Sequence, residues 1–179
     1  MTDRPMAQAL LPRRANVRFM FEHPAHLIAL GFGSGLSPKA PGTLGTVWAW
    51  LTYLVLQRWL GEWQWGVVLL VSLPIGVWAC LHCARSLGQA DPGVIVWDEI
   101  WAFWLVLWLV TPSGFWTQLA AFAIFRLFDA AKPGPVGWAD AVFKPRAGEP
   151  FGWPQAFGIV FDDVVAAFCT LLIIALWRT

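Results

Sequence analysis

The sequence predicts an all-α, polytopic membrane helical bundle of about five apolar helices plus a Gly-rich re-entrant or interfacial loop. Three observations carry that expectation. Of 179 residues, 58% are hydrophobic and only 13% charged, against about a quarter charged in an ordinary soluble domain. Five apolar runs approach the roughly 17–25 residues that cross a bilayer as helix. Tryptophan is abundant, and Trp48, Trp63, Trp65, Trp116 and Trp177 fall near run ends, where an interfacial aromatic belt is expected.

Residues 1–22 read as a basic cytoplasmic segment with Arg4, Arg13, Arg14 and Arg18. They lack the continuous apolar stretch and small-residue cleavage site of a signal peptide. Val17, Phe19, Met20 and Phe21, mixed with Arg18 and Glu22 before Pro24, predict an amphipathic interfacial helix. Residues 23–179 read as a single helical membrane domain.

Between Gly31 and Thr46, five glycines and two prolines in sixteen residues exclude a regular helix over most of the stretch. Free backbone N–H groups next to a helix start make an anion site reasonable there, with Ser34, Lys39 and Thr43 as candidate phosphate contacts. The spacing is not that of a P-loop. A turn that simply lets helices pack closely is the competing reading.

The apolar runs are 44–60, 63–83, 94–110, 115–131 and 156–177, separated by polar or Gly/Pro breaks at 57–62, 84–93, 111–114 and 132–155. Pro74 predicts a kink in the second run. With five spans and the amino terminus inside, Arg4, Arg13, Arg14, Arg18, Lys39, Arg85, Lys132, Lys144 and Arg146 fall on the inner side. Only Arg58 and Arg178 fall outside, as the positive-inside rule requires.

Charges inside the apolar runs are the informative residues, because an ionisable group at membrane depth is costly and usually faces a protein interior or watery cavity. Arg126, Asp129 and Lys132 recur at three-residue steps along one flank of a helix that Pro133 ends. Asp98-Glu99 open the third run and Asp162-Asp163 lie early in the fifth. The topology puts Asp98, Glu99, Asp129, Asp162 and Asp163 at one depth near the inner face. So many carboxylates need more compensation than Arg126 and Lys132 supply, which points to a bound divalent ion. Oxygen donors without nearby His or Cys favour Mg²⁺ over Mn²⁺ or Ca²⁺. Neighbours on a helix diverge by about 100°, so one acid of each pair is the ligand and the other supports it. A metal, Arg126, Lys132 and the glycine loop together describe a phosphate site, with Arg126 forking onto nonbridging oxygens and Asp163 or Glu99 positioning water. An Arg–Asp pair satisfying itself between helices is the structural alternative.

Cys80, Cys83 and Cys169 lie within apolar runs and form no disulfide framework. A net charge of +1 without a clustered basic face excludes a nucleic-acid binder.

The motifs jointly resemble the phosphatidylglycerophosphatase A family. Those that carry the likeness are Gly31-Phe32-Gly33-Ser34-Gly35-Leu36-Ser37-Pro38 with Pro41-Gly42-Thr43, Val96-Trp97-Asp98-Glu99, Phe125-Arg126 with Phe128-Asp129 and Lys132-Pro133, and Asp162-Asp163. They occur in family order across residues 24–166. The resemblance implies that residues 23–179 are a Mg²⁺-dependent phosphatase domain of the bacterial inner membrane, facing the cytoplasm. Its implied substrate is an anionic lipid, phosphatidylglycerophosphate, hydrolysed to phosphatidylglycerol and phosphate. The chain departs from the family pattern at Gly134, where an aromatic is usual, and at 101–102, where a glycine is usual. A cation- or proton-coupled transporter is the alternative from another class, but it would spread acids to the midplane or both sides and often show repeated halves. A scaffold using polar side chains between helices leaves the glycine loop without a purpose.

Overall fold

The computed structural model describes residues 13–89, 92–144 and 151–178, which form helices and connecting turns with no strand among them. The first twelve residues of the basic segment, with Arg4, and Arg146 lie outside the described residues.

Two short helices come first. In α1 (Val17–Glu22) the Asn16 side chain caps the start by accepting from the Phe19 N–H at 2.9 Å. Phe19 and Met20 are buried while Val17 and Phe21 stay exposed. In α2 (Pro24–Ala29), Pro24 occupies the first turn, where its missing N–H costs nothing. A tight 3₁₀ stretch at Gly31–Leu36 follows, interrupted by left-handed Phe32 and Gly33 at φ 54° and 102°. The expected irregular glycine segment is therefore present.

The remaining helices are α3 (Pro41–Leu56), α4 (Glu62–Leu87), α5 (Trp97–Val110), α6 (Phe115–Ala131), α7 (Pro135–Val142) and α8 (Trp153–Arg178). α8 is the axis of the bundle and packs against α4, α5, α6 and α7, while α5 is also covered by α3. α4 runs on through Pro74 as one helix, and its last carbonyls bond to Gly88 and Gln89 around left-handed Gly88.

The expected number of spans is corrected. Only α4 and α8, at 26 residues each, are long and apolar enough to cross a membrane among the described residues. α3, α5 and α6 have 16, 14 and 17 residues. Two of these runs read longer than their backbones allow: α3 ends at Leu56, short of residue 60, and the third run becomes helical only at Trp97. α6 coincides with its run, 115–131, and left-handed Lys132 ends it at 17 residues. On α4, Leu70 and Val71, and on α8, Leu172 and Leu176, are more than half exposed, so both long helices carry apolar faces outward.

The tryptophans divide between two tasks. Trp63, Trp116 and Trp177 are exposed, in keeping with a belt, but Trp65 is only 2% exposed and its ring lies tilted against that of Tyr53. Trp101 and Trp104 are also buried; their indole N–H groups donate to the Leu69 and Ala49 carbonyls at 3.0 Å each, pinning α5 to α4 and α3.

α7 lies inside the stretch 132–155 that the sequence presents as a polar break. Left-handed Lys132 and Gly134, at φ 45° and 49°, turn the chain sharply out of α6. Gly134, the residue that departs from the aromatic pattern, thus sits where glycine is at ease. α7 then packs on α8, where a Cβ on Gly158 would stand 2.4 Å from Phe143 Cβ.

Candidate active site

Asp98 and Glu99 lie in the first turn of α5, where the unpaired N–H groups of a helix start favour negative charge. Asp163, 2% exposed, reaches them from α8. One carboxylate oxygen from each of the three lies within 4.8 Å of the others. Asp98 Oδ1 and Glu99 Oε2 are buried without a hydrogen-bond partner. Orphaned oxygens of this kind cost free energy unless something completes them.

Arg126 approaches from α6. Its Nη1 pairs with Asp129, three residues on, and lies 3.8 Å from Glu99 Oε1, while its Nε is buried and unpartnered. The flank read from three-residue spacing is therefore occupied: Arg126 and Asp129 face each other beside the acidic triad. Lys132 closes α6 and donates to Asp162 Oδ2 at 2.6 Å and to Asp140 Oδ1 at 2.5 Å. Burial opposes the charge on Lys132, but these two carboxylates outweigh it and hold its pKa above the ordinary lysine value.

A cavity of about 170 Å³ joins these groups, lined by Asp98, Glu99, Asp129, Lys132, Asp140, Lys144, Asp162 and Asp163 together with Phe143, Phe151 and Ile159. Six carboxylates therefore face two ammonium groups. All five acids singled out from the sequence line it. Contrary to the divergence expected of helix neighbours, Asp98 and Glu99 both reach one point at the start of α5, together with Asp163; of the second pair only Asp163 does so, since Asp162 is paired with Lys132, as Asp129 is with Arg126.

The glycine loop meets this site at one point. A Cβ on Gly42, in the first turn of α3, would stand 2.1 Å from Glu99 Oε1 and 3.2 Å from Arg126 Nη1. Two other loop glycines serve close packing: a Cβ on Gly35 would lie 2.1 Å from the Val94 carbonyl, and one on Gly45 would lie 2.9 Å from Val96 Cβ. Ser34 Oγ donates to the Gly31 carbonyl at 2.8 Å, Lys39 is exposed, and neither these two nor Thr43 lines the acidic cavity.

Asp140 and Lys144 are the cavity residues that sequence reasoning missed. Asp140 accepts from both Lys132 and Lys144, and these lysines, outweighing the effect of burial, hold its carboxyl below the usual carboxylate range. Both lie in or just after α7, where charge in a polar connection gives no signal. A spacing of four between them, fitting one helical face, was the available clue.

Comparisons with known proteins find matches along most of the chain. The profile of the family Phosphatidylglycerophosphatase A matches residues 27–178. The chain is 38% identical to the phosphatidylglycerophosphatase A of Escherichia coli strain K12 over 162 residues, 88% of this chain and 87% of that protein. It is 34% identical to the Haemophilus influenzae protein of the same name, covering 85% and 87% of the two chains. It is also 34% identical to a Bacteroides thetaiotaomicron protein whose name proposes a phosphatidylinositol-3-phosphatase, covering 85% and 92%. No solved structure matches.

Proposed function

The chain belongs to the phosphatidylglycerophosphatase A family and is a phosphatase, and on that premise we propose that it hydrolyses phosphatidylglycerophosphate to phosphatidylglycerol and phosphate with Mg²⁺, a step of phospholipid biosynthesis. The observation that carries this reading is the meeting of Asp98, Glu99 and Asp163 in one cavity, with Arg126 behind its wall 3.8 Å from Glu99.

The donor set fits a hard divalent cation. Three convergent carboxylates, two with orphaned buried oxygens, are the ligands such an ion takes, and no His or Cys stands among them. Asp98, Glu99 and Asp163 would hold it, and Asp129 and Asp162 support them through Arg126 and Lys132. When bound, Mg²⁺ would offset the excess of carboxylates, polarise a phosphoryl oxygen and lower the pKa of water.

The chain's own groups account for the rest. Arg126 turns its planar fork from Asp129 and Glu99 onto the nonbridging oxygens and stabilises the charge that grows there. Asp163 or Glu99 positions a water in line with the bond to glycerol. Water attacks phosphorus and gives up a proton, the P–O bond to the glycerol oxygen breaks, and that proton ends on the glycerol oxygen as the alcohol leaves. Gly42 leaves room for the Glu99 carboxylate beside Arg126 by keeping its place free of a side chain.

An inner-membrane location with the cavity toward the cytoplasm is supported by charge. Arg85 and Leu87 at the end of α4 contact Phe151 before α8 and Arg13 before α1, which gathers the basic residues of these segments at the cavity end. Arg58 and Arg178 stand at the other end of the long helices, and Arg178 bonds to the Val110 carbonyl at 3.1 Å. The cavity acids sit together at one end and the relatives are named as phosphatases, so ion transport is not favoured. The test is phosphate release from phosphatidylglycerophosphate in detergent micelles, with Mg²⁺ and with chelator. Release that stops on chelation supports the proposal; release indifferent to chelator removes the metal from it.

A further inference from the structure

The hydrolysis described above uses the buried end of the cavity and leaves its outer end, Asp140 and Lys144, without a task. That end is built with some care. Left-handed Lys132 and Gly134 turn α7 back against the end of α6, and Gly137 lets it come so close that a Cβ there would stand 2.6 Å from the Lys132 carbonyl. α7 thereby presents Asp140 to two lysines at once, Lys132 on Oδ1 and Lys144 on Oδ2.

The two lysines are not equivalent. Lys132 gives two of its three N–H donors to carboxylates, Asp140 and Asp162, so its charge is spoken for. The Lys144 side chain is 62% exposed and, among the described residues, its ion pair is with Asp140 alone. It keeps donors free at the cavity wall. A line of contacts thus runs outward from Asp162, next to Asp163 of the triad, through Lys132 and Asp140 to Lys144.

The substrate has a matching layout. Phosphatidylglycerophosphate carries a terminal phosphomonoester and, one glycerol unit away, a phosphodiester. The lipid in the name of the Bacteroides relative likewise carries one group of each kind. With the monoester at the triad, the diester falls toward the outer end. At about 170 Å³ the cavity is smaller than the roughly 300–1,000 Å³ of sites that enclose a whole small ligand. It holds headgroup and leaves the acyl chains outside.

We propose that Lys144, positioned by Asp140, binds the substrate phosphodiester and so selects lipids that carry a diester as well as the terminal phosphate. This rests on the phosphatase reading of the inner end. Lysine suits the task as a mobile point charge, whereas the inner phosphate needs the fixed fork of Arg126.

The test is competitive inhibition of phosphate release from phosphatidylglycerophosphate by two soluble probes. Glycerophosphoglycerol is a diester without acyl chains or terminal phosphate, and inorganic phosphate stands for the inner group. In Lys144→Gln the inhibition constant for glycerophosphoglycerol should rise about tenfold, the size of one charge-assisted contact at a wet site. That for inorganic phosphate should move less than twofold. Lys144→Arg should restore diester inhibition, and Asp140→Asn should weaken it as Lys144→Gln does. A wild-type enzyme indifferent to glycerophosphoglycerol, or equal changes for both probes in Lys144→Gln, overturns the assignment. A folded wild type that releases no phosphate overturns the phosphatase reading itself, and this inference with it.

Discussion

Gly42 stands against Glu99 so closely that a methyl group on the first would lie 2.1 Å from Oε1 of the second. The start of α3 and the start of α5 therefore meet over the acidic triad with no side chain between them.

Gly42→Ala should consequently disturb the site while leaving the bundle intact. Misplacing a reacting group by about an ångström costs on the order of 100-fold, and kcat/KM should fall by about that much with the helical circular dichroism unchanged. A variant with wild-type kinetics would show that Glu99 moves aside freely and that the contact has no bearing on hydrolysis.

Removing carboxylates should separate ion binding from turnover. Asp163→Asn should lower kcat by at least about 100-fold, and so should Asp129→Asn. Mg²⁺ at 100 times its Kd should stabilise the wild type by about 2.7 kcal/mol, visible as a higher melting temperature in detergent than with EDTA. That shift should vanish in Asp163→Asn. If it persists there, Asp163 is not a ligand.

Arg126→Lys keeps the charge and discards the fork. The neighbouring Asp129 and Glu99 can still be met by an ammonium group, so the fold should survive. Phosphate release should drop by about 100- to 1,000-fold, the range seen when a transition-state donor is lost. Unchanged kcat and KM would assign Arg126 to holding α6 against α5.

Stability should depend on His26. Its ring is 3% exposed, stacks on Phe19 and bonds to the Phe19 carbonyl through Nδ1, and His23 and His82 crowd it while Glu22 and Arg13 stand farther off in influence. Burial keeps this histidine neutral and sets its pKa below the ordinary 6.5. A depressed pKa means that the unfolded chain takes up the proton first, so stability is whole above about pH 6.5 and is lost as pH falls toward the folded value. Melting temperatures of the wild type in detergent should fall from pH 7 to pH 5, and His26→Gln should flatten that slope. An identical slope in the variant would place the acid sensitivity elsewhere.

The acids of the cavity were legible because charge is rare in apolar sequence: Asp98, Glu99, Asp129, Asp162 and Asp163 stood out against their neighbours, and each lines the cavity. Asp140 and Lys144 were not, since in a Gly/Pro-rich connection two opposite charges look like solvated surface. The helix that places them depends on backbone conformation at Lys132 and Gly134. The glycine loop was legible as irregular, but its use was not. Ser34, Lys39 and Thr43 suggested an anion cradle, but none of them lines the acidic cavity, and Gly35 and Gly45 pack closely on Val94 and Val96 ahead of α5. Helix lengths misled for a related reason, because hydropathy reads through residues such as 94–96 that the backbone leaves outside a helix.

Lys132 sits at φ 45°, a conformation that suits glycine and strains other side chains. The strain is offset by what the side chain does there, since its ammonium group ties α6, α7 and α8 together at the cavity through Asp140 and Asp162. Glycine at 132 would ease the turn but leave two largely buried carboxylates without their cation. Selection for heat resistance and selection for turnover therefore favour the same residue, and the awkward turn is kept from both sides.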